Sequence, residues 1–121
     1  MDKHKSPNPF QGRWMIESMT EWDEDFLHAE VQAYIELGPS GTGQFQFGYV
    51  RGDFDYALTQ REGKEAIEIS WEGFDEMDPE SGYGWALFEG DKLTGVLAFE
   101  DGDESGFTAR RAEQKSARKL K

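Results

Sequence analysis

The sequence predicts an all-β fold: eight antiparallel strands in an up-and-down barrel, with one short helix after strand 1. Three observations carry that expectation. Apolar and polar residues alternate with period two in successive blocks, as in strands with one buried face. Short connections containing many of the 14 glycines join the blocks, so sequential strands pair antiparallel as a meander. Nine Phe, four Trp and four Tyr supply bulk that a hydrophobic fraction of 36% otherwise lacks. A meander of eight strands removes its exposed edges best by closing on itself, and an open sandwich is the competing arrangement.

Along the chain, residues 1–9 hold Pro7 and Pro9 and few apolar groups, and read as a flexible N-terminal arm. The barrel domain is expected over residues 10–111. Strand 1 is Arg13 to Met19. Trp22, Phe26 and Leu27 then share one face of a short helix, with Thr20 as its cap and acids in the first turn. Strand 2 buries Val31, Ala33, Ile35 and Leu37, and a Gly38–Gly43 turn leads to strand 3 with Phe45, Phe47 and Tyr49. Arg51-Gly52 is read as a tight reversal into strand 4, which carries Phe54, Tyr56 and Leu58 on one face. Glu62-Gly63 turns into Ile67, Ile69 and Trp71; residues 74–81 read as an acidic loop; Tyr83, Trp85 and Leu87 form the apolar face of strand 6. Gly90-Asp91 and Asp101-Gly102 bound strand 7, Leu93 to Phe99, and introduce strand 8, Phe107 to Arg111. Residues 112–121 form a basic C-terminal tail without an apolar stripe.

Charge excludes one class of partner. The net charge is −12, but residues 110–121 hold six Lys and Arg against Glu113, a net +5, and residues 1–9 are net +1. Residues 10–109 therefore carry −18, which repels phosphate backbones, and nucleic acid is not an expected partner of the barrel. A basic partner, a cation or solubility are the readings left open. With no cysteine, disulfides, thiolate metal sites and a Cys nucleophile are excluded. No stretch approaches the roughly 20 apolar residues of a membrane helix, and the N-terminus lacks the apolar core of a signal peptide. A cytoplasmic protein without membrane partners is the expectation.

Gly12-Arg13-Trp14 at the start of strand 1 resembles the Gly-x-Trp that opens calycin (lipocalin-type) barrels. The resemblance implies that Trp14 plugs one end of the barrel and that an Arg at the end of the last strand packs over its ring. Arg110 and Arg111 both lie there, and parity with Phe107 favours Arg111 as the inward one. The segments Trp22-Asp23-x-Asp25-Phe26-Leu27, Gln44-Phe45-x-Phe47-Gly48, Ser70–Glu76 and Gly102–Ser105 are also similar to a family of small bacterial proteins, a resemblance that implies no activity. Nitrobindin-like barrels, which resemble calycins, hold haem through one His. His28, the only suitable one here, does not fall on a wall strand, and no cofactor is expected.

No catalytic constellation emerges. Asp75, Asp78 and Glu80, and likewise Asp101, Asp103 and Glu104, offer oxygens to a hard cation, but neither run has the alternating carboxylates and closing Glu of a twelve-residue Ca²⁺ loop. Solvated turns account for them, and no metal site is assigned. Carboxylate pairs that could serve as acid and base occur in any chain with 25 acids. No Gly-x-Ser-x-Gly elbow or phosphate-cradling loop is present. Two functional readings lead; an enzyme is the third and would require convergent polar groups inside the barrel mouth, which the sequence does not show. In the first, a non-catalytic barrel binds a small apolar or aromatic ligand through Trp22, Phe26, Phe45, Phe47, Tyr56, Trp71 and Trp85, with Trp22, Phe26 and Leu27 as a lid. In the second, the core is filled, and the acidic surface and basic tail serve protein partners or self-association as a homodimer. A hollow interior separates the two.

Overall fold

A computed structural model of the chain describes residues 10–112. The arm expected at residues 1–9 and residues 113–121 of the basic tail lie outside the described residues. The eight strands are β1 (Gly12–Met19), β2 (Tyr34–Leu37), β3 (Thr42–Phe47), β4 (Val50–Arg61), β5 (Lys64–Asp75), β6 (Asp78–Glu89), β7 (Lys92–Phe99) and β8 (Glu104–Arg111), with helix α1 (Glu24–Leu27) between β1 and β2. Every neighbouring pair is antiparallel, and β1 pairs with β8, so the sheet closes as an eight-stranded barrel in sequence order. Closure gives every strand a partner on both sides over at least part of its length, although β4 beyond Tyr56 pairs with β5 alone.

Packing moved several boundaries. The expected reversal at Arg51-Gly52 lies inside β4, and the chain turns instead at Gly48-Tyr49. Gly48 takes φ 58°, which a side chain would strain, whereas Gly52 faces inward, where a Cβ would stand 2.7 Å from the Phe45 ring and 2.9 Å from Trp71. One glycine makes the turn; the other makes room. The acidic loop at 74–81 is likewise a correction: β5 runs to Asp75 and β6 starts at Asp78, leaving Glu76-Met77 as a tight hairpin turn. Glu76 supplies the positive φ, 59°, that a glycine ordinarily would.

The helix is shorter than its period suggested. Asp23, not Thr20, caps it, its side chain accepting from the Phe26 N–H at 3.0 Å. Thr20 is committed elsewhere: its N–H donates to the Gly106 carbonyl and its Oγ1 accepts from the Gly106 N–H, extending the β1–β8 pairing. Strand 2 starts only at Tyr34, leaving Val31 outside it and exposed. Leu58 is also 56% exposed, although it shares parity with the buried Phe54 and Tyr56.

The face of β6 is inverted relative to expectation. Gly82, Gly84 and Ala86 stand opposite Trp71, Ile69 and Ile67 of β5, and opposite Phe99, Leu97 and Gly95 of β7. Residues paired across an antiparallel ladder share a face, so these small residues point inward. Tyr83, Trp85 and Leu87 consequently belong to the outer wall. Large neighbours on both sides of Gly82 and Gly84 leave space there only for small residues.

Candidate functional site

One end of the barrel is closed by a plug. Trp14 is fully buried, its Nε1 donating to the Phe10 carbonyl at 2.9 Å, and Phe88 meets it edge-on at 5.6 Å. The Arg111 guanidinium carbon lies 4.2 Å from the Trp14 ring centroid, while Arg111 Nη1 donates to the Gln11 carbonyl at 3.1 Å. Arg110 points outward and pairs with Glu17 at 3.1 Å. The alternation of β8 decides between the two: Phe107 and Ala109 face in, and Arg111 continues that face.

Between the ends, aromatic rings of the interior contact one another. Phe45 stacks on Phe47 and Phe54 at 5.8 and 6.1 Å and meets Trp71 edge-on at 5.1 Å; Trp71 in turn meets Phe99 at 5.1 Å. Trp71 Nε1 donates to the Ala98 carbonyl at 3.2 Å, and the Tyr56 hydroxyl donates to the Gly38 carbonyl at 2.6 Å. Trp22 closes the far end against Phe47 and Phe26. Helix α1 is tied down there, because the Leu27 carbonyl accepts from the Gly48 N–H and the Phe26 ring occupies the space a side chain at residue 48 would need.

Of the seven residues expected to line a ligand cavity, Phe45, Phe47, Tyr56 and Trp71 are buried in one core cluster, Phe45 against Phe47 and Trp71, and Tyr56 against Phe54. Trp22 and Phe26 pack on the same core from its end. Trp85 is not among them: it lies on the outer wall, with the Arg61 guanidinium carbon 4.0 Å from its ring centroid. His28 caps the helix C-terminus, and its Nδ1 accepts from the Ala33 N–H at 3.1 Å, a joint between α1 and the approach to β2. Among the described residues no three His, Asp or Glu side chains group as a metal site. No helix among them is long and apolar enough to cross a membrane.

Concavity is found on the outside. Two adjoining troughs of about 800 and 770 Å³ share Asp53, Glu72, Ser81 and Glu100. The larger is lined by the carboxylates Glu36, Asp53, Asp55, Glu72 and Glu100, with no Lys or Arg in its lining. Register explains the alignment: Glu36, Gln44, Asp53, Glu72 and Ser81 stand opposite one another on successive strands β2 to β6. Ser81 Oγ then donates to Glu100 at 3.0 Å. The row crosses the strands at right angles and extends about 19 Å, four spacings of about 4.8 Å. Arg13 bonds Glu36 at 2.7 Å at one end of the row. Exposed aromatics flank it, Tyr83 in the first trough and Phe74 in the second, 59% and 50% exposed.

At the far edge of the second trough, packing around the Glu80 carboxyl, and then the charges of Asp101, Asp75, Asp78 and Asp103, raise its pKa above the ordinary 4.5. Sequence reasoning singled out none of Glu36, Asp53, Asp55, Glu72 or Tyr83. The signal was present as the polar half of each alternating block, visible once register places those halves side by side.

No family model, curated protein or solved structure matches the chain.

Proposed function

We propose that this protein is a non-catalytic binding module whose filled barrel presents a preformed acidic face to a basic partner, a Lys/Arg-rich polypeptide segment. The observation that carries the reading is the opposed pair Asp53 and Glu72 within the transverse row, with Asp55 and Glu100 beside them and no Lys or Arg in the trough lining, Arg13 pairing only with Glu36 at the row's end. Asp53 and Glu72 stand directly opposite each other on paired strands, an arrangement that costs the sheet stability unless a cation lies between them. Tyr83 and Phe74 add ring faces on which a guanidinium or an alkyl-ammonium stem can rest. Ring contacts among Phe45, Phe47, Trp71 and Phe99 speak against ligand binding inside the barrel.

Calorimetric titration with octalysine at low ionic strength tests the reading. Binding that weakens steadily with added salt, and weakens further when Asp53 and Glu72 are neutralised together, is the expected result. Octalysine binding indifferent to both changes, or no binding at low salt, contradicts it.

A further inference from the structure

We propose that the open edge of β4, Ala57 to Arg61, pairs antiparallel with the same edge of a second copy of this chain, joining two barrels about a two-fold axis at Thr59. The pairing uses the backbone of one strand and is independent of the acidic face as a binding surface.

Strand β4 outruns its neighbour on one side. β3 accompanies it only to Asp55, opposite Thr42, and the Gly41 carbonyl then accepts from the Tyr56 N–H at 2.8 Å. β5 continues alongside to Arg61, opposite Lys64. Backbone groups alternate between the two sides of a strand, so the N–H and C=O of Leu58 and Gln60 point as the Tyr56 N–H does, away from β5. Among the described residues nothing pairs with them there. The edge is held in shape by the hairpin it belongs to. Glu62 and Gly63 take φ 56° and 77°, the two positive values of a tight hairpin turn, and Lys64 pairs with Glu89 of β6 at 3.5 Å. Leu58 keeps the inward parity of Phe54 and Tyr56 yet is 56% exposed, and no strand stands beside it to complete the wall.

Free strand edges normally carry devices against pairing. The start of β6 has one. The Ser81 carbonyl accepts from the Glu100 N–H on the β7 side, so Pro79, two residues earlier, faces that side without an N–H, between Asp78 and Glu80. The β4 edge has none. Ala57, Leu58, Thr59, Gln60 and Arg61 include no acid, Pro or Gly, although residues 10–109 carry a net −18. Its one charge is turned away, with the Arg61 guanidinium carbon 4.0 Å from the centroid of the Trp85 ring on β6.

A second copy fits this edge. With the two-fold at Thr59, Leu58 of each copy faces Gln60 of the other, and each pair exchanges N–H···O=C bonds in both directions. Thr59 stands opposite its own copy, a favourable cross-strand pair, and Arg61 stands opposite Ala57, so no like charges oppose. The two Leu58 side chains become diagonal neighbours on one face. Length matches as well. The open stretch lies between the end of β3 and the hairpin tip, so each copy's tip stops where the other's β3 begins. An interface of one short strand from each copy is small, and the dimer is accordingly weak and reversible.

Sedimentation velocity on the full chain, from about 10 μM to about 1 mM, tests the pairing. The unaltered chain should pass from monomer to dimer across that range, and more readily at high salt, because two copies of net charge −12 repel each other. Gln60→Pro removes an N–H that no described residue accepts but the dimer needs, and should weaken association roughly tenfold or more. Thr59→Lys keeps the β4 backbone donors, sets like charges face to face on the axis, and should weaken it likewise. Amide exchange at Leu58 and Gln60 should slow as the protein concentration rises. A monomer at every concentration overturns the proposal, and would leave an extended segment of another protein as the edge's occupant. A dimer that survives either variant overturns it too, as does one that added salt dissolves, since charge would then hold it.

Discussion

Asp53 of β4 and Glu72 of β5 occupy directly opposed positions of one antiparallel ladder, both exposed and both on the outer face of the barrel. Like charges so placed destabilise a sheet by about 0.2–1 kcal/mol. Neutralising either one, as D53N or E72Q, should therefore raise stability by that order in urea denaturation. The same change should weaken octalysine binding. A variant that gains stability while losing binding marks the opposition as part of a site; loss of stability without loss of binding would place both residues in the scaffold alone.

The barrel plug makes a second prediction, with an internal control. Arg111 lies over Trp14, whereas Arg110, one residue earlier, forms an exposed pair with Glu17. Removing Arg111 as R111A should cost about 1–2 kcal/mol, through lost stacking on the indole and a lost bond to the Gln11 carbonyl. R110A should stay within about 0.5 kcal/mol, as exposed ion pairs do. Equal effects in chemical denaturation would mean that the stacked geometry contributes nothing beyond charge.

Interior filling predicts how the protein meets apolar probes. Truncating Trp71 as W71A should cost about 3–5 kcal/mol, because its ring is shared by Phe45 and Phe99 and a cavity would replace it. The unaltered protein should leave the fluorescence of an apolar dye unchanged. Dye uptake by the unaltered protein at a stoichiometry of one would revive ligand binding within the barrel. W85A, by contrast, removes a ring from the outer wall and should cost far less than W71A in the same denaturation experiment.

Glu80 predicts the direction of a pH effect. Its carboxyl is raised by packing and by Asp101, Asp75, Asp78 and Asp103, so the fold favours its protonated form. The resulting stability is fully present below the ordinary value of 4.5 and is lost as the pH rises through the higher folded value. E80Q removes that loss. It should match the unaltered protein at acid pH and exceed it in thermal stability at neutral pH, with the difference shrinking as salt screens the neighbouring acids. A gain of the same size at every pH would show that the charge of Glu80 is not its source.

Much of the fold is legible in the sequence, since period-two blocks and short connections imply a meander and a meander of eight closes. The inward choice of Arg111 follows from parity alone. What escaped had a common physical cause: glycine and acidic residues serve several purposes, and a single strand read in isolation does not separate them. Gly52 resembles a turn residue but is spared a side chain by Phe45 and Trp71. Trp85 resembles a core residue until its neighbours are known; only the pairing of Trp71 with Gly82 shows which face of β6 has room. The candidate site was hidden for the same reason, because Glu36, Asp53 and Glu72 lie far apart in sequence and become a row only through the register of four strand pairs.

The central claim, that the acidic outer face is where this protein binds, is tested most directly by following backbone amide shifts during octalysine titration at low salt. The account predicts perturbations centred on Gln44, Asp53, Asp55, Ser70, Glu72 and Ser81, reversed by added salt, with Phe45 and Trp71 undisturbed. Shifts confined to Trp22, Phe26 and the aromatic interior, or spread evenly over every acidic residue of the surface, would contradict it.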